Sequence, residues 1–515
     1  MILAFFRVSL LLASTISAQL VLPQLASVDA TDDPLNLHGR FPSAENIIAN
    51  SSKGLEQIMP GFSNHTRFLS RDRQVLGYVT PWNQPRGRDN SEWYRGKIDM
   101  ISPAWYTIES VPAEKLKEEG DSEASMPRFD VHGGIPTEED KGWLERMRAP
   151  ATTPDGQQLP PVRITPRFQF DRWPESDMIV LRDNQLLWYV LTRQIVAKMS
   201  DGPYDGIVLE TGANWALPGF IKYLGETFTS NNLTVTVVFE PLRVSNDMSD
   251  ALKKTTESLM KAMQAIVPLV DYVTVMTYDW AGVTGIELDM DKLGLDEGNP
   301  LRKNPEDTVG IRVPAPNQPA RFLESNIELL AGASLESLDE TGDVTNLNAG
   351  AKTPHKYLMG LPMYGYSYPL TFIDAKTAQR LPRVPTSSPP KARSHLLEAQ
   401  NKAREKGLKM EQGKVPLLRL QGKPMMHADM LAIFEHSRPL IYLDEESDEM
   451  RFDYIAASED KSTTDAEGRR EGIFHRAYMP SAYTMTKRRE AVQENGVGAA
   501  LWDLGQADPW VLHAL

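Results

Sequence analysis

The chain has 515 residues, of which 41% are hydrophobic and 24% charged, as is typical of soluble globular proteins. Its formal net charge of −14 argues against nucleic acid or an anionic membrane as a partner. It contains no cysteine, which excludes disulfides, thiolate metal sites and cysteine nucleophiles.

Residues 1–18 have the pattern of a secretory signal peptide, with one arginine, a short apolar run and small residues at the end. The run is too short to span a bilayer, which takes about 20 apolar residues, and no later stretch is apolar for as long. The sequence therefore predicts a soluble chain with no membrane span, in the secretory or endolysosomal lumen or outside the cell. Three sequons predict glycans at Asn50, Asn64 and Asn232.

Residues 19–70 read as a polar leader without periodic apolar faces, so we expect most of them to add nothing to the core. From residue 74 a unit recurs in which a short apolar or β-branched run precedes a helical pattern. Nearly continuous apolar runs are typical of parallel strands buried on both faces. The runs cover residues 75–80, 98–108, 162–168, 206–210, 233–239, 272–277, 356–361 and 498–501.

Apolar residues at spacings of three and four predict helices between these strands, including one over residues 186–199 and one over 252–267. Eight strands alternating with helices predict an α/β fold, a closed (β/α)8 TIM barrel, over residues 71–515. An open doubly wound sheet is the alternative, but no glycine-rich phosphate loop follows any strand.

A bare barrel needs about 250 residues, so the surplus must lie in loop insertions. Composition places them at about residues 110–160, 283–353 and 367–475. The last insertion lies between the final two strands and has strands of its own at residues 440–443 and 450–455. It is therefore expected to form a small α+β unit.

Aromatic and acidic residues are concentrated where the predicted strands end, which is where barrel active sites lie. Rings that stack on sugar faces, beside carboxylates that bind hydroxyls, are typical of carbohydrate sites. Simple core packing is the alternative for any single ring. The candidate ligand-binding residues are Tyr78, Trp82, Trp105, Glu210, Tyr278, Asp279, Tyr364 and Trp502, and we expect them to converge on one face of the barrel.

Five motifs lie at the predicted strand ends in this order: VLGYVTPW (75–82), YDGIVLE (204–210), VTVMTYDW (273–280), LMGLPMYGYSY (358–368) and VGAALWDLG (497–505). Together they resemble glycoside hydrolase family 18, and within it the chitinase-domain-containing, stabilin-interacting chitinase-like branch. The resemblance covers residues 74–515 with the insertions left out. It implies a (β/α)8 barrel that binds chitin or another N-acetyl-sugar oligosaccharide.

The catalytic motif of this family is incomplete here. The fourth strand normally reads D-G-x-D-x-D-x-E, and its last glutamate is the general acid of a substrate-assisted reaction. Asp205 and Gly206 match, Val208 replaces the first inner aspartate, Glu210 occupies the second, and Gly212 occupies the acid position. The resemblance carries Asp205 into the candidate ligand-binding set.

The family's third-strand Ser-x-Gly-Gly signature is also missing, since residues 164–170 read ITPRFQF. Same-face residues on a strand are about 6–7 Å apart, so Glu210 would sit too deep to protonate a leaving group in the usual place. Glu210, the first candidate for a catalytic residue, is therefore interpreted as a binding or structural carboxylate.

The resemblance further implies that Tyr278 and Asp279 hydrogen-bond the sugar and that Trp502 forms the floor of its subsite. The favoured function is sugar binding without hydrolysis. One alternative is an active glycosidase that uses a relocated acid, Glu240, Asp279 or Glu210. Another is an interaction scaffold whose insertions bind a protein receptor. The sequence identifies no cofactor, and its sparse histidines predict no metal site.

Overall fold

The computed structural model describes residues 43–120, 126–153, 156, 158–243, 250–280, 285–286, 311–312, 315–331, 353–373, 415–418, 422–444, 447–457 and 472–515. The predicted signal peptide, residues 1–18, lies outside this part of the chain. The barrel strands are β1 (Val75–Val79), β2 (Met100–Pro103), β3 (Arg163–Ile164 and Arg167–Asp171), β4 (Gly206–Glu210), β5 (Thr234–Phe239), β6 (Tyr272–Val275), β7 (Tyr357–Pro362) and β8 (Gly498–Trp502).

Helices lie between the barrel strands as the sequence predicts, and two short helices precede β1. The helices are α1 (Ala44–Asn50), α2 (Leu55–Ile58), α3 (Arg86–Trp93), α4 (Ala113–Glu118), α5 (Glu138–Arg148), α6 (Glu175–Asp183), α7 (Gln185–Lys198), α8 (Pro218–Thr229), α9 (Asp250–Ile266), α10 (Ala320–Ala331), α11 (His427–Ser437), α12 (Ala482–Glu494) and α13 (Pro509–Leu512).

The eight strands form a closed parallel ring. Each pairs in parallel with the next, and β8 pairs with β1 through Leu76 and Ala500. Thr165 and Pro166 divide β3 into two segments. The first pairs with β2 and the second with β4, which completes the ring. The predicted (β/α)8 barrel is confirmed.

Alternation along the strands sorts side chains to the two faces of the barrel wall. On β1, Leu76 and Tyr78 belong to the small cluster inside the barrel, whereas Val75 and Val79 belong to the larger cluster outside it. The interior cluster also takes Val208 from β4. Strands buried on both faces account for the nearly continuous apolar runs in the sequence.

Short hairpins and a larger insertion are added to the ring. Strand Tyr106–Val111 continues β2 alongside β3 and pairs in antiparallel fashion with Arg128–Gly133. Between β7 and β8 lies the expected α+β insertion, a sheet of six strands with helix α11. Its strands are Gly365–Ile373, Val415–Leu418, Lys423–Met425, Ile441–Leu443, Met450–Ala457 and Gly472–Met479; two further short pairs are Ala151–Thr152 with Gln158–Leu159 and Gly285–Ile286 with Ile311–Arg312.

The expectation that residues 19–70 stay off the core is wrong for residues 43–70. Ile47, Leu55 and Leu69 are buried in the same cluster as the outer face of the barrel wall. Helix α1 packs against α11 of the insertion, where Arg438 lies 3.6 Å from Glu45. Each of these short helices buries only one or two residues, too few to produce a periodic signal.

Helix α7 confirms the helix predicted over residues 186–199, but it buries fewer apolar residues than the sequence pattern predicts. Leu187, Leu191 and Ile195 are buried, whereas Leu186 and Val190 are exposed. Among the described residues, no helix combines the length and apolarity needed to cross a bilayer.

Candidate functional site

Most of the predicted site residues lie at the carboxyl ends of the barrel strands. Tyr78 is the next-to-last residue of β1, Glu210 ends β4 and Trp502 ends β8. Tyr278 follows β6 and Tyr364 follows β7. Since parallel strands bring their carboxyl ends to one face of the barrel, these side chains meet at its mouth.

Arg167 of β3, which the sequence analysis did not single out, lies at the centre of this mouth. Its Nη1 donates to Glu210 Oε2 at 3.0 Å, and its Nη2 donates to Gln169 Oε1 at 2.8 Å. The guanidinium carbon lies 5.2 Å from the centre of the Trp502 ring, over the indole. Arg167 thus reaches from the third strand to both the fourth and the eighth.

Two buried tyrosines lie close to this ion pair. Tyr78 contacts Trp502 edge-on, with ring centres 5.0 Å apart. Burial, and secondly the charge of Glu210, raises the pKa of Tyr78. Burial raises the pKa of Tyr278 well above its usual value, and the neighbouring Tyr78 and Glu210 add to the effect. Both phenols are therefore neutral hydrogen-bonding groups at ordinary pH.

Asp279 is held by two tyrosines from the start of the insertion. The hydroxyl of Tyr366 donates to Asp279 Oδ1 at 2.6 Å, and the hydroxyl of Tyr364 donates to the same atom. The backbone of Asp279 has a φ of 59°, and its N–H donates to Asn317 Oδ1 at 2.8 Å. The two tyrosines thus hold the carboxylate, and Asn317 holds the backbone that carries it.

Asn317 and Gln318 connect β6, β7 and the insertion. Asn317 Nδ2 donates to the carbonyl of Tyr364 at 2.9 Å, and Gln318 Nε2 donates to the carbonyl of Thr277 at 2.6 Å. The backbone N–H groups of both residues donate to the carboxylate of Glu449, at 3.1 and 2.9 Å.

Glu449 also accepts a hydrogen bond from Arg488 Nη2 at 2.6 Å, deep inside the protein. Burial raises the pKa of Glu449, although the charge of Arg488 opposes the shift. This Asn317–Gln318–Glu449–Arg488 cluster sets the position of Asp279.

Two predicted site residues do not join the group. Asp205 precedes β4 at the opposite end of the barrel, where its carboxylate accepts hydrogen bonds from Arg148 and from the N–H of Ile164. It is five residues from Glu210, or about 16 Å along the strand. Trp105 follows β2 at the correct end but is buried against Trp143, with ring centres 6.1 Å apart, in the outer cluster. Its ring offers no open face for a ligand.

The rim of the mouth carries exposed groups. Trp82, in the loop after β1, is 63% exposed, and Trp215, in the loop after β4, is 57% exposed. Trp82 was among the predicted residues, whereas Trp215 was not. Glu240 is exposed directly after β5. Burial lowers the pKa of the nearby Arg243, although the charges of Glu240 and Asp279 oppose this shift.

Gly212 stands where the family motif places its acid. It has a φ of 69°, and a Cβ built on it would meet no atom within 4 Å. The position is therefore open in space, but its backbone conformation favours glycine. Within the part of the chain described, no group of three or more His, Asp or Glu side chains could hold a metal.

The residues that the sequence analysis missed left weak signals. Arg167 and Gln169 alternate with Phe168 and Phe170, and such alternation in a strand places the two polar side chains on one face. Applied to residues 164–170, this pattern would have placed Arg167 in the barrel interior. Asn317 lies inside a segment assigned to an insertion and has no comparable signal.

No protein-family profile matches the chain. Among solved structures, it is similar to a chitinase from Chromobacterium violaceum, with 13% identity, a TM-score of 0.50 and coverage of 86% of this chain and 97% of that chain. It is also similar to the C-terminal domain of a candidate chitinase from Desulfitobacterium hafniense, with 14% identity, a TM-score of 0.51 and coverage of 86% and 98%. The chain therefore has the (β/α)8 fold found in chitinases.

Proposed function

We propose that this protein is a chitinase-like carbohydrate-binding protein that does not hydrolyse its ligand. Its ligand would be chitin or another oligosaccharide of N-acetyl sugars, as in glycoside hydrolase family 18 and its stabilin-interacting branch. The observation that carries the proposal is the state of two positions at the end of β4, its last residue Glu210 and Gly212 just beyond it. Gly212 has no side chain at the acid position, and Glu210 is paired with Arg167.

Glu210 is poorly placed to replace the missing acid. It is the last residue of β4 and lies two residues before the acid position, a separation of at most about 7 Å along the chain. A general acid must come within about 3.2 Å of the leaving oxygen or act through one water. The Oε2 atom of Glu210 instead accepts the N–H of Arg167.

The mouth nevertheless retains surfaces suited to sugars. Trp82 and Trp215 present exposed indoles at the rim, whereas Arg167 covers the half-buried indole of Trp502 at the centre. Sugar C–H faces pack on such rings, and Asp279 and Glu240 supply carboxylates for hydroxyl groups. Tyr78, Tyr278 and Tyr364 are buried and would support this surface from below.

The compartment belongs to the same proposal. Asn50, Asn64 and Asn232 are partly or fully exposed, which is compatible with glycans on a protein of the secretory or endolysosomal lumen or the cell exterior. Treatment with an N-glycosidase should lower the mass of the native protein, and substitution of all three asparagines should abolish this change. Both results would support the proposed compartment. A chain of unglycosylated mass from secreting cells would contradict it.

Two assays test the function. Fluorogenic chito-oligosaccharides should show no turnover, and calorimetry or a glycan array should show binding. Gly212→Glu should not restore turnover, because Val208 still replaces an inner carboxylate. Turnover by the native protein that Glu210→Gln abolishes would instead identify Glu210 as a relocated acid. Absence of glycan binding would favour the scaffold function and a protein receptor.

A further inference from the structure

We infer that Arg167 closes the central sugar subsite, so that an oligosaccharide binds the native protein without stacking on Trp502. This inference rests on the proposed function and specifies where the ligand lies. Arg167 is then a specificity-determining residue, because it restricts the ligand to the rim of the mouth.

The first argument is steric. A sugar that stacks on an indole places its carbon atoms about 4.0–4.5 Å from the ring. The guanidinium carbon of Arg167 already lies 5.2 Å from the centre of the Trp502 ring. The edge contact with Tyr78 takes up further surface of the same indole. A pyranose ring cannot occupy the face that the guanidinium covers.

The second argument concerns what holds Arg167 there. Its side chain is 8% exposed, and its two terminal nitrogens are used by Glu210 and Gln169. Phe168, the next residue along β3, is fully buried on the outer face and stacks on Tyr106 with ring centres 4.4 Å apart. This packing fixes the strand register, so Arg167 cannot rotate to the other face.

The third argument is electrostatic. Moving Arg167 aside to admit a sugar would leave Glu210 without its cation at a site that is 19% exposed. A carboxylate that loses its partner in such surroundings is strongly disfavoured. A neutral sugar offers hydroxyl groups but no charge to replace the guanidinium. The ion pair therefore persists, and the ligand is left with the exposed indoles of Trp82 and Trp215.

The test removes the pair without leaving a lone charge. Arg167→Met combined with Glu210→Gln should open the indole and tighten binding of N-acetylglucosamine tetramer, measured by calorimetry, by about tenfold. Trp502→Phe should weaken binding by this double variant and leave the affinity of the native protein unchanged. The matched control is Arg148→Met with Asp205→Asn, which removes the pair at the other end of β4 and should leave affinity unchanged.

Arg167→Lys provides a second variant if the double variant does not fold. It keeps a cation for Glu210 but lacks the planar group over Trp502, so affinity should rise by a smaller factor. Weaker binding in either variant would overturn the inference. Arg167 would then be a hydrogen-bond donor to the ligand, since its Nε–H has no partner among the described residues. Unchanged binding would overturn it too. Glycan binding by the variants but not by the native protein would support the inference while contradicting the proposed function, and binding by neither would contradict both.

Discussion

The fourth barrel strand has an arginine–carboxylate pair at each end, and the two pairs differ in their surroundings. At the amino end, Arg148 and Asp205 have side chains that are 41% and 23% exposed. At the carboxyl end, the side chains of Arg167 and Glu210 are 8% and 19% exposed. The pairs have the same chemistry and their carboxylates are about equally exposed, but water reaches the arginine far more easily at the amino end.

This difference shows why a motif carboxylate cannot be interpreted from sequence position alone. Asp205 matches the family motif yet forms a surface pair far from the mouth, whereas Glu210 lies in the mouth but is neutralised there. Exposed pairs contribute little to stability because water and salt screen them. Buried pairs depend on both partners, because a lone charge in a dry site is costly.

The largest expected effect is at a pair that is even more buried. Glu449 and Arg488 have side chains that are 0% and 4% exposed. Arg488→Met should lower the free energy of unfolding by about 3–5 kcal/mol, because Glu449 would remain as a lone buried charge. Urea unfolding measures this change. Adding Glu449→Gln should restore part of the lost stability. If Arg488→Met were as stable as the native protein, burial would not determine how much such a pair matters for stability.

Arg167→Met comes next. Glu210 is less buried than Glu449, so the loss should be smaller, about 2–3 kcal/mol in the same urea assay. Glu210→Gln in the same chain should recover much of it. If Arg167→Met cost no more than the surface variant Arg148→Met, the distinction between the two ends of β4 would be lost.

A pH experiment extends the comparison to a fourth pair, Arg86 and Asp508, in which the charged atoms are 3.7 Å apart. Burial raises the pKa of Asp508 from its usual 3.8 to about 7, while its bond from the Trp510 N–H and the charge of Arg86 oppose the shift. The folded state thus binds the proton more tightly than the unfolded state. Asp508 stabilises fully below about pH 4, and this contribution is lost as the pH rises through 7.

Asp508→Asn should therefore remove one source of pH dependence. Asparagine retains the cap at the start of α13, so the fold should persist. We expect the stability of the variant relative to the native protein to improve as the pH rises from 4 to 7, measured by urea unfolding at each pH. A stability difference that is constant over this range would mean that Arg86 keeps the carboxylate charged.

The smallest effect is expected at the amino end of β4. Arg148→Met should change the free energy of unfolding by less than about 1 kcal/mol, because Arg148 is 41% exposed and water screens its charge. The N–H of Ile164 still binds Asp205 in this variant. A loss comparable to that of Arg167→Met would show that exposure is a poor guide to the strength of these pairs.

The barrel was predictable from the sequence because its strands are buried on both faces and leave long apolar runs, such as Gly206–Glu210, whose bounds match the prediction. The packing of residues 43–70 was not predictable, since α1 and α2 are too short to show a period. At the site, Tyr278 and Glu210 were found through motif order. Alternation along β3 could have placed Arg167 in the barrel interior, but its contacts with Glu210 and Trp502 involve other strands, which no local pattern encodes.

The Asn317–Gln318–Glu449–Arg488 cluster bears on how the chain could have acquired its insertion. The insertion has its own sheet and resembles a module that could be removed. However, its Glu449 is bonded to barrel residues 132 and 39 positions away in sequence, Asn317 and Arg488. Deleting the insertion would leave Arg488 without its carboxylate partner. It would also remove the Glu449 bond that holds Asn317, which supports the backbone of Asp279. Barrel and insertion are thus expected to unfold as one cooperative unit, and a barrel without its insertion would need compensating changes before it could fold.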